Sequence, residues 1–139
     1  MRLRRTLTGV LAALVIPLFA VLGSATPAAA AYEQNEAVDI DWYADSSREC
    51  YANTWVSACI QKNGDDIWIK DNVNDNTLVR VVWWDTNGTR EGYCTDLLGP
   101  AYAWTWCNKD WTDGHTIAWY VYYRTDGQWW PGPTQTTVV

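Results

Sequence analysis

Three Asn-Gly or Asp-Gly pairs, Asn63-Gly64, Asn87-Gly88 and Asp126-Gly127, each stand between runs of alternating side chains. Both central residues of a type I′ turn need positive φ, which Asn, Asp and Gly tolerate. Three such signals in one short chain make antiparallel hairpins the dominant motif. After Tyr32 no sustained window repeats apolar residues at i, i+3 and i+4, so no helix is expected. The alternation predicts strands over 38–43, 55–61, 66–71, 77–85, 90–96, 101–108, 116–125 and 128–130. Their spacing of about ten residues fits an all-β fold, an antiparallel sandwich or barrel of seven to eight strands built from hairpins.

Residues 1–31 read as a secretory signal peptide. Arg2, Arg4 and Arg5 form a charged start, an apolar run over 7–22 is interrupted by Pro17, and Thr26 to Ala31 supply small residues for cleavage after Ala30 or Ala31. No later apolar run approaches the length of a membrane span, so the expected location is secreted and extracellular. Within the remainder, 32–48 is expected to hold an N-terminal arm, loose over 32–36, and the first strand. Residues 49–130 form the disulfide-stapled β-domain, and 131–139 a Pro/Thr-rich C-terminal tail.

Removing the signal sharpens the composition. Of 10 Lys+Arg, three leave with it while all 16 Asp+Glu stay, so the net charge moves from −6 to 7 − 16 = −9. That balance argues against sequence-independent nucleic-acid binding, which needs a basic footprint to release counterions. All 11 Trp and 8 Tyr remain, against 9 Val, 5 Ile and 3 Leu. Trp must therefore fill much of the core, where each ring buries a large apolar area.

An exported chain meets oxidising conditions, so Cys50, Cys59, Cys94 and Cys107 read as two disulfides. Four Cys allow three pairings. The sequential one, Cys50–Cys59 and Cys94–Cys107, is favoured because each pair flanks two neighbouring strand-like segments. Metal ligation is disfavoured, since no C-x₂-C unit is present and the single His stands outside any paired spacing.

Successive side chains of a strand point to opposite sides. Val79, Val81 and Trp83 thus share a face with Ile117, Trp119 and Val121 in a plain core set. The opposite set mixes aromatics with cations: Trp68, Lys70, Arg80, Trp84, Tyr120, Tyr122 and Arg124. Such a mixture suits either a half-wet outer face, where stems and rings shelter one another, or a binding platform. Trp68, Arg80, Trp84, Tyr120, Tyr122 and Arg124 are the candidate ligand-binding residues. The neighbouring pairs Trp83-Trp84 and Trp129-Trp130 offer flat rings suited to sugars, although only one ring of each pair can lie on a given face.

Catalytic signals are weak, and no enzyme is expected. His115 follows Gly114 in a turn, and Ser46, Ser47 and Ser57 lie outside any G-x-S-x-G setting. The oxygen-rich stretch Asp71-Asn72-Val73-Asn74-Asp75-Asn76 lacks the ligand order of an EF-hand and reads as an Asx-rich loop. Asn87-Gly88-Thr89 matches a glycosylation sequon, which its turn role accounts for. Neither a cofactor nor a resident metal is expected.

The Ala-rich export signal, Cys50…Cys59, Gly64-Asp65-Asp66-Ile67-Trp68-Ile69-Lys70-Asp71, Gly92-Tyr93-Cys94 and Cys107-Asn108-Lys109-Asp110 resemble small secreted two-disulfide proteins of high-GC Gram-positive bacteria. The resemblance covers most of 50–125 and implies secretion and a two-disulfide β-fold, without an activity. In size, export, acidity and disulfide count the chain is also similar to the tendamistat-like amylase inhibitors. It lacks their Trp-Arg-Tyr triplet and its first two Cys are much closer together, so no inhibitory residues carry over. The sequence thus leads to a secreted non-catalytic β-domain that binds an extracellular polymer or protein through its aromatic/Arg face. The alternative is a proteinaceous inhibitor of a secreted hydrolase, presenting a loop near a disulfide.

Overall fold

The computed structural model describes residues 32–139, so the expected export signal lies outside the described residues. Among the described residues there are eleven strands and no helix. They are β1 (Glu33–Glu36), β2 (Val38–Asp39), β3 (Arg48–Ala52), β4 (Val56–Gln61), β5 (Asp66–Asp71), β6 (Val79–Asp85), β7 (Glu91–Asp96), β8 (Thr105–Asn108), β9 (Thr116–Thr125), β10 (Gln128–Pro131) and β11 (Gln135–Val138). One sheet runs β1-β7-β6-β9-β10, with β11 also paired to β9; the other runs β2-β8-β5-β4-β3. The layers make a sandwich, antiparallel except for the β1–β7 pair.

The turn signals organise three hairpins, with different local geometry. Asp126 and Gly127 both have positive φ (52° and 77°), and Thr125 pairs with Gln128, which is the expected two-residue type I′ turn. At 62–65 the positive φ values fall one residue later, on Gly64 and Asp65, in a four-residue loop closed by Gln61 opposite Asp66. At Asn87-Gly88 neither residue has positive φ. There Asp85 accepts the Asn87 N–H at 2.9 Å, and a side chain on Gly88 would collide with that carboxylate.

Three strands lie where none was expected. The supposed loose arm over 32–36 holds β1, which pairs in parallel with β7. It is locked from the interior side. Glu33 bridges Arg90 at 2.8 Å and the buried Lys109 at 3.1 Å, and Lys109 also donates to Asn35. Burial lowers the Lys109 pKa, with Glu33 opposing it; the same two cations outweigh the burial of Glu33 and hold its carboxyl below the usual range. The supposed tail returns as β11, where the buried Thr137 accepts the Trp119 indole N–H at 3.1 Å. β3 pairs with β4 and places Cys50 directly opposite Cys59. Conversely, the strands expected over 38–43 and 101–108 shorten to β2 and β8, and their freed ends form aromatic loops.

Val56, Ala58, Ile60, Ile67 and Ile69 from one sheet join Val79, Val81, Trp83, Ile117, Trp119 and Val121 from the other in the core. Trp68, Trp83 and Trp119 are the largest fully buried side chains, as the scarcity of aliphatics requires. Both disulfides follow the sequential pairing. Cys50–Cys59 staples adjacent strands of the five-stranded sheet, with Cα atoms 4.0 Å apart. Cys94–Cys107 joins β7 to β8 and so ties one sheet to the other. No helix among the described residues is long and apolar enough to cross a membrane.

Candidate functional site

The outer face of the six-stranded sheet is a grid that the pairing register dictates. One row across β1, β7, β6, β9 and β10 reads Glu36, Thr95, Arg80, Tyr122, Pro131. The next reads Gln34, Tyr93, Val82, Tyr120, and a third Glu91, Trp84, Ala118, Thr136. Side chains of facing strands in one row touch, and diagonal neighbours reach one another when they are aromatic.

Arg80 sits at the centre of this grid. Its guanidinium carbon lies 4.4 Å from the Tyr93 ring centroid and 4.9 Å from that of Trp129. Trp129 enters the face because the Asp126-Gly127 turn places it opposite Arg124, and its ring stacks on Tyr122 at 4.9 Å and 20°. Tyr120 meets Tyr122 at 90° and Trp84 at 63°, so the exposed rings form a faceted surface rather than one plane. Tyr32 extends it beyond Tyr93, which donates its hydroxyl proton to Gln34 at 2.7 Å.

No described ion pair involves Arg80. Its Nε is buried without a hydrogen-bond partner, and so is the hydroxyl of its row neighbour Thr95, itself only 3% exposed. Both border a groove of about 330 Å³ lined also by Gln34, Glu36, Leu78, Tyr93 and Leu97. A second hollow of about 490 Å³ begins at the same two leucines and continues between the β5–β6 and β7–β8 loops.

Of the six residues expected to share one platform, Arg80, Trp84, Tyr120 and Tyr122 do so, half-buried, with Arg124 exposed at the hairpin end. Arg124 Nε donates to the Gly127 carbonyl at 3.3 Å and so braces the turn. Trp68 does not belong with them. It lies on the other sheet and is 0% exposed, under Trp42 and Tyr43, with the Arg48 guanidinium 3.7 Å from its ring centroid. Its indole N–H donates to Gln61 at 2.9 Å. The alternation correctly gave Trp68 an outward direction, but the loop after β2 folds over it.

Tyr93 and Trp129 were missing from the expected platform, although both were readable. Cys94 faces inward for its disulfide, so Tyr93 must face outward; a two-residue turn after Thr125 fixes Trp129 opposite Arg124. The second exposed aromatic group, Trp42 stacked on Trp104 at 4.4 Å beside Tyr43, had no such signal because its residues lie on loops.

Ionisable groups elsewhere serve local structure. His115 Nδ1 contacts Asp85 at 2.7 Å; burial would raise Asp85, but His115 and two backbone N–H groups outweigh it and hold the carboxyl below its usual range. Asp96 is raised by burial while accepting from the Leu98 and Gly99 N–H groups, and Asp71 caps Val73. Asp66, buried beside Asn108, is pushed up to about 6, chiefly by desolvation and further by Asp65. No protein-family model, curated protein or solved structure matches the chain.

Proposed function

We propose that this chain is a secreted, non-catalytic module that binds an extracellular polysaccharide along the outer face of the six-stranded sheet. The observation that carries the reading is Arg80, held between Tyr93 and Trp129 with no acidic partner among the described residues of an acid-rich chain. Half-buried rings beside a cation with unpaired donors suit a ligand that is apolar on its ring faces and rich in acceptors at its edges. The faceted ring geometry fits a single soluble strand better than a flat crystalline surface, which needs coplanar rings. Two disulfides and the expected signal over 1–31 support export. The engagement of His115 and the buried carboxylates in turns and caps supports a non-catalytic role.

The test is a Trp84→Ala/Tyr122→Ala double variant on a polysaccharide array. Retention should fall at least tenfold, about 1.4 kcal/mol of binding, with the melting temperature lowered by only a few degrees. If the variant unfolds, or binds as the parent does, the face is structural.

A second reading, a proteinaceous hydrolase inhibitor, is favoured by the β7–β8 loop. Between Cys94 and Cys107 it exposes Leu97, Leu98 and Tyr102 around Gly99, which has a φ of 70°. Stoichiometric loss of amylase or protease activity, relieved by Leu98→Asp, would establish it; absence of inhibition across both classes would dismiss it.

A further inference from the structure

Resting on the polysaccharide reading, we infer that the groove at Arg80 is a subsite for a carboxylated sugar, so that the preferred polymer is a polyuronate. Two residues lining the groove carry polar atoms that the described fold leaves unsatisfied: Arg80 Nε and Thr95 Oγ1, both buried without partners. Arg80 and Thr95 are cross-strand neighbours in one row, on β6 and β7, and both line the groove. Buried donors without acceptors are costly and uncommon, and an acceptor arriving from outside would relieve both. Guanidinium Nε–H and its neighbouring terminal N–H form a planar fork that fits the two oxygens of one carboxylate. Thr95 Oγ–H would donate to one of the same oxygens.

The surroundings narrow the anion further. Among the described residues Arg80 is the one cation lining the groove, while Glu36 also lines it and Glu91 lies on the same face. A polymer with two or more sulfates or phosphates per sugar would meet these carboxylates, and the acidic balance of the chain, with more repulsion than one that carries a single carboxylate per sugar. A sugar with one carboxylate neutralises the single cation, and its hydroxyls can donate to Glu36. Leu78, Leu97 and the Tyr93 ring supply apolar contact for its C–H edges. The adjoining hollow past Leu78 and Leu97 gives the next sugar a place to lie.

Binding of the mature chain should be measured by calorimetry against a short oligogalacturonate and its methyl ester. Free galacturonate and poly-glutamate are the further arms. The acid oligomer should bind at least tenfold tighter than its ester, free galacturonate at least tenfold weaker than the oligomer, and poly-glutamate at least tenfold weaker again. Arg80→Gln should bring the acid oligomer down to the level of the ester. Thr95→Val, a near-isosteric change, should weaken it about threefold or more with a melting temperature equal to or above the parent's, and it decides the matter if Arg80→Gln does not fold. Equal binding of acid and ester overturns the carboxylate subsite but leaves the polysaccharide reading standing. Poly-glutamate binding as tightly as the oligomer overturns the sugar assignment. No binding to any polysaccharide, acidic or neutral, overturns both.

Discussion

Two tryptophans with similar sequence surroundings should respond oppositely to removal. Trp68 and Trp129 both follow a turn and both sit on the outward side of a strand. Trp68 is fully buried, contacts Trp42 and Tyr43 edge-on, carries the Arg48 guanidinium on its ring and donates to Gln61. Truncating a buried Trp to Ala costs about 3–5 kcal/mol. The lost ring pairs and cation contact keep Trp68→Ala at or above the middle of that range, about 4 kcal/mol. Trp129 is half-exposed on β10 and loses one stacked partner and one cation contact, for about 1 kcal/mol. The difference of about 3 kcal/mol should appear as a urea midpoint shift at constant slope and a melting-temperature gap of roughly 12 °C or more. Far-UV circular dichroism reads both. If Trp68→Ala falls within about 1 kcal/mol of Trp129→Ala, the division of the aromatics into core and platform is wrong.

The folded Asp66 carboxyl keeps its proton up to about pH 6, whereas the unfolded chain releases it near 3.8, so stability should rise as pH falls through that window. Asp66→Asn should remove that component, at most about 3 kcal/mol, in denaturation midpoints measured from pH 4 to 7.5; an unchanged pH profile would contradict the burial assigned to Asp66. Removing Cys94–Cys107 with paired alanines should cost about 3 kcal/mol by calorimetry, and more than removing Cys50–Cys59, because the first joins the sheets through the core and the second staples neighbouring strands. A larger loss at Cys50–Cys59 would refute that distinction.

The strands with alternating side chains were legible because a pleated strand with one buried face leaves a period of two. Val79, Val81 and Trp83 on β6 and Ile117, Trp119 and Val121 on β9 are its plainest traces. β1 left no such trace. Its sequence Glu-Gln-Asn-Glu is wholly polar, because its inward residues Glu33 and Asn35 meet Lys109 rather than an apolar layer. β11 was hidden by its length and by the prolines before it, and what fixes it is long-range: its ladder with β9 and the bond from the Trp119 indole to Thr137. Face assignment within a strand was readable; which sheet a strand joins was not. That is why Trp68 was grouped with Arg80, although they lie on opposite layers of the sandwich.

The central claim is that ligand meets the Arg80 face and leaves the Trp68 side untouched. A ¹⁵N-resolved NMR titration of the mature chain with oligogalacturonate observes indole and guanidinium N–H groups individually. The account expects shifts at Arg80 Nε and at the Trp129 and Trp84 indoles, with Trp68 and Trp83 unmoved. Shifts confined to Trp42 and Trp104, or none at Arg80, would contradict it.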